Sequence, residues 1–168
     1  MAGIEYLTPA VLVSLNTGLR RGELLKLEWT DIDLDRAILT VRGKTAKSKK
    51  MRHIPLNREA LATLKAWKLK AHPVFVFTDA LGKPLRAIFH WEALRRLAGL
   101  KVFRWHDLRH SFAPRLVMKG VDLNTVRELL GHKDLKMTLR YAHLSPGHKA
   151  AAVSVLDRSD SMSLAVAA

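Results

Sequence analysis

Residues 129–144 read LLGHKDLKMTLRYAHL, and Tyr141 within them is one of only two tyrosines in a chain of 168 residues. A tyrosine serves as core, as surface or as nucleophile, and its surroundings decide which. Gly131 reads as the stop of a short helix, LNTVRELL, for which Asp122 is the N-cap. His132 follows the stop, and Tyr141 comes nine residues later on a further helical segment, KMTLRYAHL. A histidine near a helix end is often only a dipole partner. The stretch therefore has to be read against the rest of the chain.

Apolar residues make up 48% of the sequence, which suits one folded domain with a real core. The net charge is +14, from 29 Lys and Arg against 15 Asp and Glu. That excess predicts a polyanionic partner, and nucleic acid is the commonest one. An acidic membrane surface is the rival, but no helix pairs a basic face with a bulky apolar one. The absence of cysteine excludes disulfides and thiolate metal sites and is compatible with a reducing cytoplasm. No apolar run reaches the ~18 residues of a membrane span. The start, MAGIEYLTPA, lacks the basic and apolar regions of a signal peptide. The expectation is an intracellular protein.

Upstream, Thr8 and Pro9 read as the N-cap and first residue of a helix that Gly18 stops, and RGELLKLEW resumes helical spacing. DIDLDRAILTVRG reads as a hairpin, with a β-prone run over residues 37–41, and RHIPL as its second strand. Asn57 caps a helix to about residue 70, with Ala60, Leu61, Leu64 and Trp67 on one stripe. PVFVF suggests a short strand, and residues 86–98 an amphipathic helix. HDLRHSFAPRLVMKG reads as a helix ending near Gly120, and residues 147–156 as an Ala-rich one. The fold class is α+β, mainly α-helical, with a small antiparallel hairpin sheet. Residues 1–156 form one domain, and 157–168 a flexible tail.

Four constellations carry possible chemistry. In HDLRH, His106 and Arg109 are three apart and share a helix face, which suits a phosphate. The bland reading is a surface helix with scattered polar groups. His106 and His110, four apart, have metal-pair spacing but no convincing third ligand. In TGLRRGELL, Arg20 lies within helical reach of Glu23, either as an arginine held for an anion or as an ordinary surface ion pair. The loop from Arg42 to Arg52 holds six Lys or Arg in eleven residues. Such a run is usually solvated, but between two strands it also makes a finger for a nucleic-acid backbone. Crowded like charges there disfavour a protonated lysine. The fourth is the His132 and Tyr141 stretch itself.

Taken together and in order, these motifs resemble the catalytic domain of tyrosine recombinases, the phage integrase family, over about residues 8–155. The family's first arginine matches Arg20 in TGLRRGEL, and its hairpin lysine matches Lys47 in AKSKKMRHIPL. Its His and second arginine match His106 and Arg109, its later histidine His132 in LLGHKD, and its nucleophile Tyr141. The resemblance implies the DNA breaking–rejoining fold, site-specific cleavage through a 3′-phosphotyrosine, and no metal or cofactor. Arg20 and Arg109 would grip the non-bridging oxygens, with a hydrogen bond from His132. Lys47 would protonate the 5′ oxygen, and His106 would serve as general base for a hydroxyl that ordinarily ionises near pH ~10. Lys44, Lys49, Lys50, Arg52 and Lys133 are the candidate DNA-backbone contacts.

The implied partner is double-stranded DNA, with self-association on it as the synaptic tetramer of relatives and the segment at 147–156 as a docking element. The implied setting is a bacterial or phage-encoded, nucleoid-associated protein. Type IB topoisomerase-like relaxation and a non-catalytic DNA-binding remnant are the alternatives. Three departures from the family matter, and one is that Lys47 is one of several loop lysines, so that Lys44 or Lys49 could take its place. Only 19 residues precede Arg20, so the upstream DNA-gripping domain is expected to be absent and the first helix partial. Pro114 falls inside the helix of His106 and Arg109, where a proline costs ~3 kcal/mol.

Overall fold

The Asn57 side chain accepts the Ala60 N–H at 2.9 Å and starts α3, Arg58–Lys68, which turns Ala60 and Leu64 completely inward. In the computed structural model, which describes residues 4–43, 51–145 and 153–154, this helix packs against α1, Leu7–Thr17. The start of α1 differs from the sequence reading: Tyr6, not Thr8, occupies the capping position. The reason is an anchor outside the helix. The Tyr6 hydroxyl donates to the Phe89 carbonyl at 3.0 Å and accepts the Phe89 N–H at 2.8 Å. Pro9 still falls in the first turn, where its missing N–H has no partner to lose.

Gly18 ends α1 in the left-handed region, at φ 62°. The next helix, α2, is only Arg21–Leu24. Helical spacing through residue 29 was expected, but tertiary pairing overrides it. Trp29 N–H donates to the Val74 carbonyl and Val76 N–H to that of Leu27, each at 2.9 Å, burying Leu27, Trp29 and Val76. PVFVF is accordingly not a regular strand; it makes an isolated antiparallel bridge, Glu28 to Phe75.

The sheet has three antiparallel strands in the order β1 (Ile32–Asp33), β2 (Ile38–Val41) and β3 (Arg52–Pro55). Leu39 faces Ile32 on one side and Ile54 on the other, and Val41 faces Arg52. Alternation along a strand sends Leu39, Val41, Ile54 and Arg52 to the inner face.

Helix α4, Trp91–Leu97, is shorter than the 86–98 reading and buries none of its residues. Helix α5, Trp105–Val117, runs through Pro114 without ending there. Ala113 and Val117 on either side are fully buried with Val126 and Leu130 of α6, Leu123–Leu130. That packing holds the helix across its missing hydrogen bond. KMTLRYAHL is not one helix: α7 is Lys136–Leu139, and a 3₁₀ turn follows at Ala142–Leu144. Residues 147–156 lie almost wholly outside the described residues.

Gly18, at the end of α1, lies tight against Phe112 of α5 and Leu130 of α6. A Cβ there would stand 2.6 Å from Phe112 Cδ1 and 2.9 Å from Leu130 Cδ2. Gly18→Ala combines a left-handed alanine with overpacking, so it is expected to lose about 2–4 kcal/mol of stability. Urea unfolding checks this through a lower midpoint at unchanged slope.

Candidate active site

Three arginines converge on the end of α6. Arg20 precedes α2 in an extended conformation, and its Nη2 donates to the Gly131 carbonyl at 3.0 Å. Arg109, from α5, donates through Nη1 to the Gly18 carbonyl at 2.5 Å and through Nη2 to that of Leu130 at 2.6 Å. Arg52, from β3, donates through Nε to the Leu129 carbonyl at 3.0 Å. A helix C-terminus carries partial negative charge, so it is a natural seat for guanidinium groups.

One carboxylate ties this cluster together. Glu23 accepts both Arg52 Nη groups, at 3.0 and 2.7 Å, the Arg20 Nη1 at 3.0 Å and the Arg20 backbone N–H at 2.8 Å. Burial by itself would raise its pKa, but the Arg52 and Arg20 hydrogen bonds and charges hold it below the ordinary value. The Arg20–Glu23 pair is thus no loose surface bridge, because only 3% of the Glu23 side chain is exposed. The expectation that Arg52 touches DNA is corrected: its guanidinium is buried and bonded to Glu23 and Leu129. An arginine in a basic loop reads as a surface charge, and only the inward phase of β3 shows otherwise.

Arg20 and Arg109 line an open cleft of about 450 Å³ with His106, His110, His132, Lys133, Arg140 and Tyr141. None of the described residues that line it is acidic. Burial, with Arg20 close by, lowers Arg109 to about 9, so it remains charged at neutral pH. His132 follows Gly131, and its Nδ1 lies 2.8 Å from the Thr138 hydroxyl. Burial first, then Arg109 and Arg20, pushes His132 down to about 4, so its ring is neutral.

Tyr141 sits between α7 and the 3₁₀ turn, its ring against the small core formed by α5 and α6. Its hydroxyl is 3.0 Å from His110 Nδ1. The sequence reading gave the base role to His106; the hydrogen bond goes to His110, one helical turn on. His106 packs edge-on against the His110 ring, centroids 4.6 Å apart. The four-residue spacing of the two histidines, which also suits a metal pair, is the signal in the sequence that puts His110 on the same face as His106. Lys133 stands at the cleft as a candidate DNA contact. Lys44, Lys47, Lys49 and Lys50 lie outside the described residues.

A family model described as the phage integrase family matches residues 5–148. The integrase of Salmonella phage P22 is 35% identical over 157 residues, covering 86% of this chain and 41% of that protein. A tyrosine recombinase XerC of Xanthomonas campestris is 37% identical over 142 residues, covering 80% of this chain and 43% of its own. The chain spans about half the length of the curated relatives it matches. Among solved structures, the catalytic domain of bacteriophage HP1 integrase superposes with a TM-score of 0.73 at 28% identity, over 95% of this chain and 86% of that one. XerH recombinase bound to its difH substrate shares the fold, with a TM-score of 0.72 at 24% identity, over 94% of this chain and 49% of that one. Matched along nearly its whole length by sequence and by fold, the chain belongs to the phage integrase family and has the fold of a tyrosine recombinase catalytic domain.

Proposed function

We propose that this domain cleaves and rejoins double-stranded DNA at specific sites through a covalent bond between Tyr141 and a 3′ phosphate. The observation that carries the reading is the 3.0 Å hydrogen bond between the Tyr141 hydroxyl and His110 Nδ1, in a cleft lined, among the described residues, by three arginines and no acid. A phosphodiester is the ligand that such an acid-free, cationic cleft suits best.

The Tyr141 hydroxyl passes its proton to His110 Nδ1 as its oxygen attacks phosphorus. The new bond is O–P to tyrosine, and the bond to the 5′ oxygen breaks. Charge grows on the non-bridging oxygens, where Arg20 and Arg109 stabilise it. Each guanidinium has five N–H groups. Arg109 spends two on backbone carbonyls, and the Arg20 side chain two on Glu23 and Gly131, so donors are left for substrate. Lys47, by resemblance, protonates the departing 5′ oxygen. The phosphotyrosine keeps the energy of the broken bond, so a second 5′ hydroxyl can reverse the step without a nucleotide.

DNA as partner is supported by the solved relatives described in complex with it, XerH and the Tn1549 transposon integrase. On this reading several copies assemble on the DNA, in a bacterial cytoplasm beside the nucleoid.

Incubation with supercoiled DNA in EDTA, followed by a detergent quench, should trap a covalent adduct. Tyr141→Phe should give none while still binding DNA. Absence of an adduct from the unsubstituted chain bound to a cognate site would overturn the proposal, and cutting independent of site would replace recombination with relaxation. His110→Asn is expected to slow single-turnover cleavage by about 10²-fold, with a smaller loss for His106→Asn. Burial is the chief cause holding His110 below its ordinary value, helped by Arg140 and Arg109 and opposed by Asp107. Cleavage should therefore persist below pH ~6.5, the ordinary histidine value, before an acid limb appears. A pH–rate profile checks this, and the limb should be lost in His110→Asn.

A further inference from the structure

Thr138 belongs to none of the roles assigned so far, yet its side chain is fully buried beside the cleft. Its hydroxyl lies 2.8 Å from His132 Nδ1, and this is the hydrogen bond recorded for that hydroxyl among the described residues. The threonine stands on α7, three residues before Tyr141, and the Tyr141 N–H donates to the Thr138 carbonyl at 3.0 Å. The Thr138 N–H is itself held by the Leu135 carbonyl at 2.7 Å. One residue thus contacts the candidate phosphate donor through its side chain and the candidate nucleophile through its backbone.

A neutral imidazole has one N–H and one bare nitrogen. His132 is neutral at pH 7, because burial and the nearby Arg109 and Arg20 push it down to about 4. Which nitrogen carries the proton is therefore set by the partner at Nδ1. Two arguments fix the direction. If the ring donated from Nδ1, the buried threonine proton would be left without a recorded acceptor. The bare nitrogen would then be Nε2, the other polar atom of a ring that lines a cleft rich in cations and suited to an anion. A phosphate offers acceptors only, so a bare Nε2 would repel it.

We propose that Thr138 is a positioning residue whose hydroxyl donates to His132 Nδ1, fixing the imidazole as the Nε2–H tautomer that donates to a phosphate oxygen. The cleavage part of this inference rests on the function proposed above; the tautomer part does not. The β-branched side chain suits the task, since it restricts χ1 and holds the hydroxyl in one place. Because α7 carries both contacts, a phosphate donor and the attacking oxygen are kept in register by a single turn of chain.

The test uses the full chain with Thr138→Val, which keeps the shape and removes the hydroxyl, and Thr138→Ser, which restores it. Long-range ¹H–¹⁵N spectra of the free protein at pH 7 report the His132 tautomer without any DNA. The expected result is a bare Nδ1 and protonated Nε2 in the unsubstituted chain, a mixture in Thr138→Val, and recovery in Thr138→Ser. Single-turnover cleavage should fall by up to about tenfold in Thr138→Val, the scale of one neutral hydrogen bond, and be rescued by Thr138→Ser. A protonated Nδ1 in the unsubstituted chain overturns the proposal, whatever the variants do. So does Thr138→Val with both tautomer and rate unmoved. Equal slowing by both variants with the tautomer unchanged assigns Thr138 to packing and also overturns it. If no variant or parent cleaves cognate DNA, the proposed function fails, while the spectrum still decides the tautomer.

Discussion

The carbonyls of Leu129, Leu130 and Gly131, at the end of α6, each accept a hydrogen bond from a different arginine: Arg52, Arg109 and Arg20. Those arginines come from β3, from α5 and from the residue before α2. Glu23 then binds two of the three. This knot joins the larger core, built on α1, α3 and the sheet, to the smaller one of α5 and α6. A buried ion pair that loses one partner costs about 3–5 kcal/mol, since the remaining charge is stranded away from water. The network therefore depends on all its members together. It also leaves a surplus, because three cations meet one carboxylate and a helix end. Arg20 and Arg109 bring that surplus to the cleft, where an anionic ligand would complete the charge balance.

The same surplus shapes the histidines. His106, His110 and His132 are all held below their ordinary pKa, with burial the largest cause in each and neighbouring positive charge adding to it. A neutral ring offers one donor and one acceptor, which is what a site needs if it must receive a tyrosine proton in one place and donate to an oxygen in another. A carboxylate among them would hold them protonated and compete for the arginines. The described residues that line the cleft include no carboxylate of that kind.

The two tyrosines show how one residue type is divided by its surroundings. Tyr6 is buried in the larger core, and its hydroxyl is occupied by both backbone groups of Phe89. Burial raises its pKa, against the Phe89 hydrogen bond, which suits a structural hydroxyl that never ionises. Tyr141 is half-buried, and its hydroxyl meets a histidine in an open cleft. Nothing in the two tyrosines themselves distinguishes them.

Local signals in the sequence were enough for the capped helices and the hairpin, because caps, glycine stops and two-residue alternation act over a few residues. Asn57, Asp122, Gly18 and Gly131 stand where those rules put them. The ordered motifs around Arg20, Arg109, His132 and Tyr141 named the residues that the fold gathers into one cleft. Elements whose limits depend on distant partners were misread: the start of α1, set by Phe89, the short α2, ended by pairing with residues 74–76, and the break between α7 and Tyr141. That the Tyr141 hydroxyl bonds to His110 and that Arg52 is buried were likewise decided by tertiary structure. Spacing along a helix or strand says which residues share a face, but not which of them meets a group more than thirty residues away. By itself the sequence determined the chemical groups and their local geometry; which nitrogen meets the tyrosine, and which arginine is scaffold, was decided only when separate elements packed together.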